Sequence, residues 1–345
     1  MKKILKNSVQ FMIKKNVIYA RWNEVIIPVG NESDNLLSFL HKINDPFDIE
    51  ELSSKEREIY NRLDQNNFFC NYKSDNLELT DFEVERHSRT LDYFERMFIE
   101  ENNINDKYEL LVSLKNKRIL LVGVGGLGSW VLYHLLCIGI ENITLLDGDI
   151  VEISNLNRSI MYRENDVGSL KVEAAMQNAQ KFYSNSHIKA LNINLTDEVP
   201  ILNELQNHNY DLVISCADKP YWKIQNWIQK ACEITNTPLL IGVGGKIGPL
   251  YIPKETACRN CFLLSKNINY ADFEEQVNKL SMLPDSRQGV FIPIVSLNAS
   301  ILSYEAITFL IDKNRCNSIN HVLIQKSLYE FERVAVKKEM KCTCR

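Results

Sequence analysis

A glycine-rich turn between an apolar run and an apolar helix is the feature that most constrains the fold of this chain. Residues 118–122 (RILLV) form an almost unbroken apolar run, as expected for a strand buried on both faces of a sheet. The sequence GVGGLG follows at 123–128, and residues 127–138 carry apolar side chains at helical spacing. A second apolar run at 143–146 ends on an aspartate. The pattern predicts a strand, a tight turn, a helix and a second strand.

The spacing of this turn predicts a nucleotide site. Gly123, Gly125, Gly126 and Gly128 fit G-x-G-x-x-G, which lets the backbone turn sharply and approach a phosphate without Cβ clashes. The free N–H groups at the helix start face the anion, aided by the positive end of the helix dipole. Asp147 follows the loop by about 20 residues, where a carboxylate can accept hydrogen bonds from ribose hydroxyls. NAD enzymes share this motif, so the motif alone leaves the nucleotide open.

Charged residues further along the chain favour a triphosphate over a dinucleotide. The pyrophosphate of a dinucleotide is bound largely by backbone amides, whereas a triphosphate carries more charge and needs side-chain cations. Arg158 and Lys171 can supply these cations. Another apolar run at 211–215 leads into Cys216, Ala217 and Asp218. A carboxylate at the carboxyl end of a parallel strand lies over the ligand crevice, so Asp218 could hold Mg²⁺ against the phosphates.

From residue 117 onward, strands alternate with helices. This alternation predicts an α/β fold with a mainly parallel, Rossmann-like sheet and right-handed crossovers. Further strands are predicted at 188–192, 211–215 and 238–243, with helices at 169–182, 221–235 and 293–313 and a C-terminal hairpin at 321–336.

Residues 1–80 do not fit the nucleotide fold and are predicted to form a separate module, with 81–345 as the second domain. Strands are expected at 11–19, 25–29 and 67–72, and helices at 33–42 and 53–65. This order suggests a small winged-helix-like module. It is either a structural appendage or a peptide clamp, in which an extended peptide adds a strand to an exposed sheet edge; the clamp is favoured. The segment has no basic excess, which argues against DNA binding.

Composition narrows the class of protein. The chain has 345 residues, a net charge of −4 and a pI of about 6.0, which argues against a general nucleic-acid binder. The first residues lack the apolar core of a signal peptide. The longest apolar stretch, at 292–311, contains Asn298, Ser300 and Glu305, so we expect a buried helix and no membrane partner. A cytoplasmic protein with mostly reduced cysteines is therefore expected.

Together the motifs resemble the E1-like adenylating enzymes of the ThiF, MoeB and HesA type. The similarity covers RHSR at 86–89, GVGGLGS at 123–129, LLDGDIVEISNLNRS at 145–159, DVGSLKVE at 166–173, CAD at 216–218 and CRNC at 258–261. The resemblance implies that this chain uses MgATP and that the site residues have these roles: ribose binding by Asp147 with Asp149 close by, phosphate binding by Asn155, Arg158 and Lys171, and Mg²⁺ binding by Asp218. Arg89 would reach into the ATP site of the partner in a homodimer.

The resemblance also bears on the cysteines. Cys258 and Cys261 form a metal half-site, and Cys342 and Cys344 could complete a tetrahedral zinc site. At the second, C-terminal pair, family members usually have C-x-x-C, whereas this chain has C-x-C at 342–344. The alternative is therefore that the two pairs are unrelated cysteine clusters. The zinc site is favoured because both clusters occupy the positions that the family uses.

The N-terminal module is similar to the leader-peptide modules of the peptide-antibiotic branch, of the microcin C and pantocin A type. That similarity implies adenylation of a carboxylate on a ribosomally synthesised precursor peptide. Two alternatives remain. One is activation of the C-terminal glycine of a ubiquitin-like sulfur carrier, and the other is a non-catalytic or NAD-binding Rossmann protein. The crossover segment, at about 265–292, contains no cysteine, so a thioester or persulfide step there is excluded.

Overall fold

The computed structural model describes residues 2–72, 78–99, 106–220, 223–266, 268 and 289–344. Their internal contacts divide the chain into two units, Met1–Ser113 and Leu114–Arg345. The helices after residue 80 therefore group with the N-terminal residues. Most of the crossover segment predicted at about 265–292 lies outside the described residues.

The first unit combines short antiparallel sheets with helices. Strands β2, β3 and β4 pair in that order, and β1 pairs with β5 in a separate two-stranded sheet. The elements of the unit are β1 (Lys3–Leu5), β2 (Gln10–Lys14), β3 (Val17–Trp22), β4 (Val25–Asn31), α1 (Asp34–Lys42), α2 (Ser54–Asp64), β5 (Phe69–Asn71), α3 (Asp81–Arg86), α4 (Ser88–Phe94) and α5 (Lys107–Lys115), the last of which crosses into the second unit. Ser33 and Ser53 cap α1 and α2, as predicted.

The chain reverses inside the segment predicted as one strand at 11–19. The structure instead has β2 and β3, joined by a two-residue turn at Lys15 and Asn16 with φ values of 49° and 60°. Such a turn needs two residues with positive φ. Asparagine tolerates a positive φ, but lysine is not a typical turn residue. The sequence pattern therefore predicted one continuous strand where the structure has a turn.

A buried charge cluster lies in the first unit. Lys6, Glu95 and Lys107 are each at most 6% exposed. Lys107 Nζ is 2.8 Å from Glu95 Oε2, and Lys6 Nζ is 3.9 Å from Glu95 Oε1. Lys6 also stands 3.7 Å from the centroid of the Trp22 ring. Burial alone would lower the pKa of Lys107. The neighbouring Cys70 and Glu95 raise it by more than burial lowers it, so the net shift of the pKa is upward.

The second unit is an α/β sandwich around an eight-stranded sheet of order β13-β12-β11-β10-β9-β6-β7-β8. From β8 to β10 all neighbours are parallel, which confirms the predicted Rossmann-like sheet. Its elements are β6 (Arg118–Val122), α6 (Gly126–Ile138), β7 (Asn142–Leu146), α7 (Lys171–Phe182), β8 (His187–Leu191), α8 (Val199–Asn207), β9 (Leu212–Ser215), α9 (Lys223–Thr235), β10 (Leu239–Val243), β11 (Lys246–Ile247), α10 (Arg259–Ser265), α11 (Ile292–Ile311), β12 (His321–Gln325) and β13 (Phe331–Ala335).

The predicted C-terminal hairpin is present as β12 and β13. It joins the sheet through β11, a two-residue strand that was not predicted. Gly244 and Gly245, both with positive φ, form the turn from β10 into β11. The antiparallel extension therefore depends on this glycine pair. Strand β11 was not predicted because two residues are too few to show an alternating apolar pattern.

Helix α11 is long and apolar enough to cross a membrane, the one such helix among the described residues. It packs within the second unit. A Cβ on Gly242 of β10 would lie 2.5 Å from the Leu302 side chain of this helix. The absence of a Cβ at Gly242 therefore lets the helix approach β10 closely. Asn298 donates to Gln325 Oε1 at 2.6 Å, and the buried Glu305 accepts from the Ser318 N–H at 2.7 Å. These contacts agree with the buried helix predicted from its polar residues.

The buried charge cluster generates a stability prediction. Lys107→Met removes the nearer ammonium and leaves the buried Glu95 carboxylate with Lys6, 3.9 Å away, so we expect a loss of about 3 kcal/mol in the free energy of unfolding. Lys313→Met is the matched control: Lys313 also lies 2.8 Å from a glutamate, Glu255, but its side chain is 53% exposed. The control should cost less than about 1 kcal/mol. Urea unfolding followed by circular dichroism measures both, and equal losses would contradict a structural role for the buried pair.

Candidate active site

The order of the parallel strands creates a crevice between β6 and β9. From β6 the chain continues to β7 and β8 on one side, and β9 continues to β10 on the other. Loops that leave the carboxyl ends of two such neighbouring strands part in opposite directions and open a ligand-binding crevice. The glycine loop follows β6, and Cys216-Ala217-Asp218 follows β9. The structure therefore brings these two predicted site segments together.

The four glycines of the loop serve different purposes. A Cβ on Gly123, whose φ is 86°, would lie 2.7 Å from the Ala217 nitrogen, and a Cβ on Gly128 would lie 1.9 Å from the Gly123 oxygen. A Cβ on Gly126 would lie 3.0 Å from Arg158 Cγ. Only Gly125 faces open space, with no atom within 4 Å of an added Cβ. Three glycines thus allow close packing, and the fourth leaves room for a phosphate.

Asp147 organises the loops around it. Its carboxylate accepts hydrogen bonds from the Val124 N–H at 2.8 Å and from the Asp149 N–H at 2.9 Å. Burial raises the pKa of Asp147, although Lys171 and the two N–H groups act in the opposite direction. The side chain therefore links the glycine loop to the segment after β7 and also offers oxygens at the crevice.

Lys171 is the first residue of α7 and lies at the same edge. Its Nζ is 2.7 Å from Asp149 Oδ2. The Lys171 side chain is only 10% exposed, whereas that of Asp149 is 69% exposed. An ammonium held in a nearly buried position by an exposed carboxylate can exchange that partner for a phosphate oxygen without leaving its place.

Arg158 and Asn155 lie in the segment between β7 and α7. Arg158 Nη1 donates to the Ser154 carbonyl and, at 3.1 Å, to Asn157 Oδ1. Its side chain lies over Gly126, beside the open face of the loop. Asn155 is buried, and its Oδ1 accepts from the Glu152 N–H at 3.2 Å, which caps a short 3₁₀ turn. In this structure Asn155 therefore shapes the turn that carries Arg158.

The remaining predicted residues differ in their surroundings. Asp218 is exposed immediately beyond β9. The carbonyl before it, that of Ala217, accepts a hydrogen bond from the buried Gln225 side chain at 2.5 Å. Arg89 is exposed on α4 in the first unit.

Two hydroxyl side chains that the sequence analysis did not identify hold the glycine loop. Ser129 Oγ donates to the Gly126 carbonyl at 2.9 Å and accepts from the Ile160 N–H at 3.2 Å. Tyr162 OH donates to the Val124 carbonyl at 2.5 Å. Ser129 is the last residue of the GVGGLGS segment, but no role was predicted for it, and Tyr162 lies outside the quoted motifs. Only their positions next to these motifs could have indicated them.

The four cysteines 258, 261, 342 and 344 converge in one buried cluster whose sulfur atoms all lie within 4.8 Å of one another. The Cys258–Cys261, Cys258–Cys342 and Cys261–Cys344 separations are 3.8, 3.4 and 3.5 Å. A tetrahedral zinc with bonds of about 2.3 Å needs sulfurs about 3.8 Å apart, so the donor set and its spacing fit such an ion. The Glu339 N–H also points at Cys261 Sγ at 3.4 Å. Hydrogen bonds from Cys258 and this N–H lower the pKa of the Cys261 thiol.

Comparison with known proteins identifies relatives of this arrangement. The ThiF family profile matches residues 100–345. The molybdopterin-synthase adenylyltransferase of Escherichia coli K12 is 32% identical over 203 residues, which cover 57% of this chain and 74% of that protein. Among solved structures, E. coli MccB matches with a TM-score of 0.70 and 20% identity, covering 100% of this chain and 99% of MccB. PaaA matches with a TM-score of 0.69 and 18% identity, covering 97% of this chain and 100% of PaaA.

These matches agree with the crevice and its charged residues. The profile covers the whole second unit, including the glycine loop, Lys171 and Asp218. The adenylyltransferase relatives set aside the non-catalytic and NAD-binding alternatives. The chain belongs to the ThiF family and is an ATP-dependent adenylyltransferase of the E1-like type.

Proposed function

We propose that this enzyme activates a carboxylate on a ribosomally synthesised precursor peptide, as in the maturation of peptide antibiotics of the microcin C or pantocin A type. The observation that carries the proposal is the extent of the likeness to MccB. It covers 100% of the chain and so includes the first unit, which ATP chemistry does not require. The structure of MccB, the Microcin C7 biosynthetic enzyme, is known in complex with N-formylated MccA.

In this proposal residues 1–80 act as the leader-peptide module and 81–345 as the adenylation domain. The sheet of β2, β3 and β4 has two edge strands, β2 and β4, to which an extended peptide could add. Met12 and Ile26 are 39% and 52% exposed. They pair with Tyr19 and Arg21, which are two residues apart on β3, so both point to the same face of the sheet. This face offers apolar contacts to the side chains of a bound peptide.

The chemistry follows from the crevice. A carboxylate oxygen of the peptide attacks the α-phosphorus of ATP, the bond to the β-phosphate oxygen breaks, and pyrophosphate leaves. Lys171 and Arg158 neutralise phosphate charge, Asp147 binds the ribose, and Asp218 would hold Mg²⁺. Arg89 from a second copy of the chain would complete the site in a homodimer. No general base is needed, because a carboxylate is already ionised at pH 7.

A second candidate is activation of the C-terminal glycine of a ubiquitin-like sulfur carrier. The E. coli molybdopterin-synthase adenylyltransferase is 32% identical over 203 residues of this chain, whereas MccB is 20% identical over the whole chain. Adenylation alone needs no cysteine in the crossover segment, so its absence from the sequence at 265–315 is compatible with both candidates.

We also propose that the four-cysteine cluster binds a structural zinc ion. Its sulfurs have the number and spacing of a closed tetrahedral site, which leaves no coordination position for a substrate. None of the nine cysteines forms a disulfide. Together with the use of ATP, this favours a cytoplasmic location.

The substrate class can be tested by ATP–pyrophosphate exchange with two panels, peptides with free carboxylates and ubiquitin-like carriers that end in glycine. We expect exchange with a peptide. Met12→Glu with Ile26→Glu should then raise the KM for that peptide by about tenfold or more and leave ATP binding unchanged, because a charge on the exposed face disfavours apolar contacts. Phe82→Glu, at an exposed apolar residue elsewhere in the first unit, is the control. Exchange with a carrier and with no peptide would favour the second candidate.

The role of Lys171 can be tested directly. Lys171→Met keeps the apolar stem and removes the ammonium, so ATP affinity should fall about tenfold to a hundredfold, the range for a lost hydrogen bond between charged groups. Lys181→Met on the exposed side of the same helix should leave the affinity unchanged. Isothermal titration calorimetry measures both; ATP binding by Lys171→Met at normal affinity would rule out phosphate binding by this residue.

The zinc proposal predicts about one zinc per chain by metal analysis. Cys342→Ser with Cys344→Ser should lose the metal and lower the unfolding temperature, because two of four thiolate ligands are gone. Cys316→Ser changes a buried cysteine outside the cluster and should retain the zinc. A double variant with undiminished zinc content would show that the metal is bound elsewhere.

A further inference from the structure

Tyr162 joins two parts of the ATP site, although it lies in none of the charged motifs. Its side chain is buried. The hydroxyl oxygen is 2.5 Å from the Val124 carbonyl oxygen and 3.4 Å from the Lys171 carbonyl oxygen. A phenol has one proton to donate, and the shorter distance assigns it to Val124. Tyr162 therefore holds the second residue of the glycine loop.

This hydrogen bond fixes the orientation of one peptide group. The Val124 carbonyl and the Gly125 N–H belong to the same trans peptide unit, so they point in opposite directions. Because the carbonyl faces the buried Tyr162, the Gly125 N–H faces away from it. No acceptor for this N–H occurs among the residues with described positions, and Gly125 borders open space. At the other end of the same residue, the Val124 N–H is held by Asp147.

We propose that Tyr162 is a positioning residue for ATP binding. Its hydrogen bond to the Val124 carbonyl keeps the Gly125 N–H directed at the nucleotide phosphates. Without the hydroxyl, the peptide group between Val124 and Gly125 can rotate. Rotation would turn the negative end of the carbonyl dipole toward the phosphates and remove a hydrogen-bond donor from them. Burial, with the nearby Asp147 carboxylate, raises the pKa of Tyr162, so the hydroxyl stays protonated and able to donate.

The test compares two buried tyrosines. Tyr162→Phe removes the hydroxyl and keeps the ring. Tyr183→Phe is the matched control, because the Tyr183 hydroxyl is also buried and donates to Glu141 Oε1 at 2.7 Å, before β7 at the opposite end of the strand. The affinities of the full-length protein for MgATP and for adenosine, which carries no phosphate, are measured by calorimetry and ligand-observed NMR.

We expect Tyr162→Phe to weaken MgATP binding about fivefold to tenfold, the effect of one lost hydrogen bond, with adenosine binding within twofold of the wild type. Tyr183→Phe should change neither. Incorporation of p-aminophenylalanine at position 162, which restores a donor, should recover most of the MgATP affinity. Unchanged MgATP affinity, or equal losses for MgATP and adenosine, would overturn the proposal, since the second result means general loosening of the site.

Hydrogen exchange on the unaltered protein provides a measurement that does not depend on the folding of Tyr162→Phe. The Gly125 amide should exchange rapidly without nucleotide and become at least tenfold slower with MgATP. Adenosine should not protect it. An amide that is already protected without nucleotide, or that MgATP leaves unprotected, would contradict the assigned orientation.

Discussion

The crevice between β6 and β9 depends on a close approach between two backbone segments, the turn after β6 and the turn after β9. A side chain on Gly123 would overlap the Ala217 backbone, and one on Gly128 would overlap Gly123. This contact brings the two turns together, and α6 begins at Gly126, within the same loop. A glycine motif of this kind is therefore as much a packing requirement as a phosphate-binding one.

Charge in the crevice is balanced before the nucleotide arrives. Lys171 needs a partner because it is nearly buried, and Asp149 supplies one from an exposed position. If a phosphate takes over this role, as proposed above, the displaced Asp149 carboxylate returns to water at little cost, since most of it is already solvated. The pair thus preserves a cationic position that would otherwise be expensive to maintain in the empty enzyme.

The sequence predicts the parts of this protein whose physical requirements are local. The β6 strand, the glycine turn and the position of Asp147 follow from short-range pattern and were found where expected. The local sequence pattern did not separate β2 from β3, because Lys15 adopts a positive φ that is uncommon for lysine. Tyr162 was missed for a different reason: its contact with Val124 spans 38 residues and arises only when the segment after β7 folds back over the loop. The meeting of Cys258 with Cys342, 84 residues apart, was anticipated by family resemblance and has no local signal.

The buried cluster of Lys6, Glu95 and Lys107 has a consequence for how such a chain can evolve. It connects the first strand region with the helices after residue 80, and Asn7 adds a hydrogen bond to Asp92 at 3.1 Å. Recombination at residue 80 can separate opposite charges that are at most 6% exposed, and an unpaired charge left there would destabilise the fold. An exchanged N-terminal region keeps the cluster intact when it extends through Lys107, and it then includes helix α4, which bears Arg89. The N-terminal sheet and the helix that carries Arg89 are then inherited together, as one recombination block.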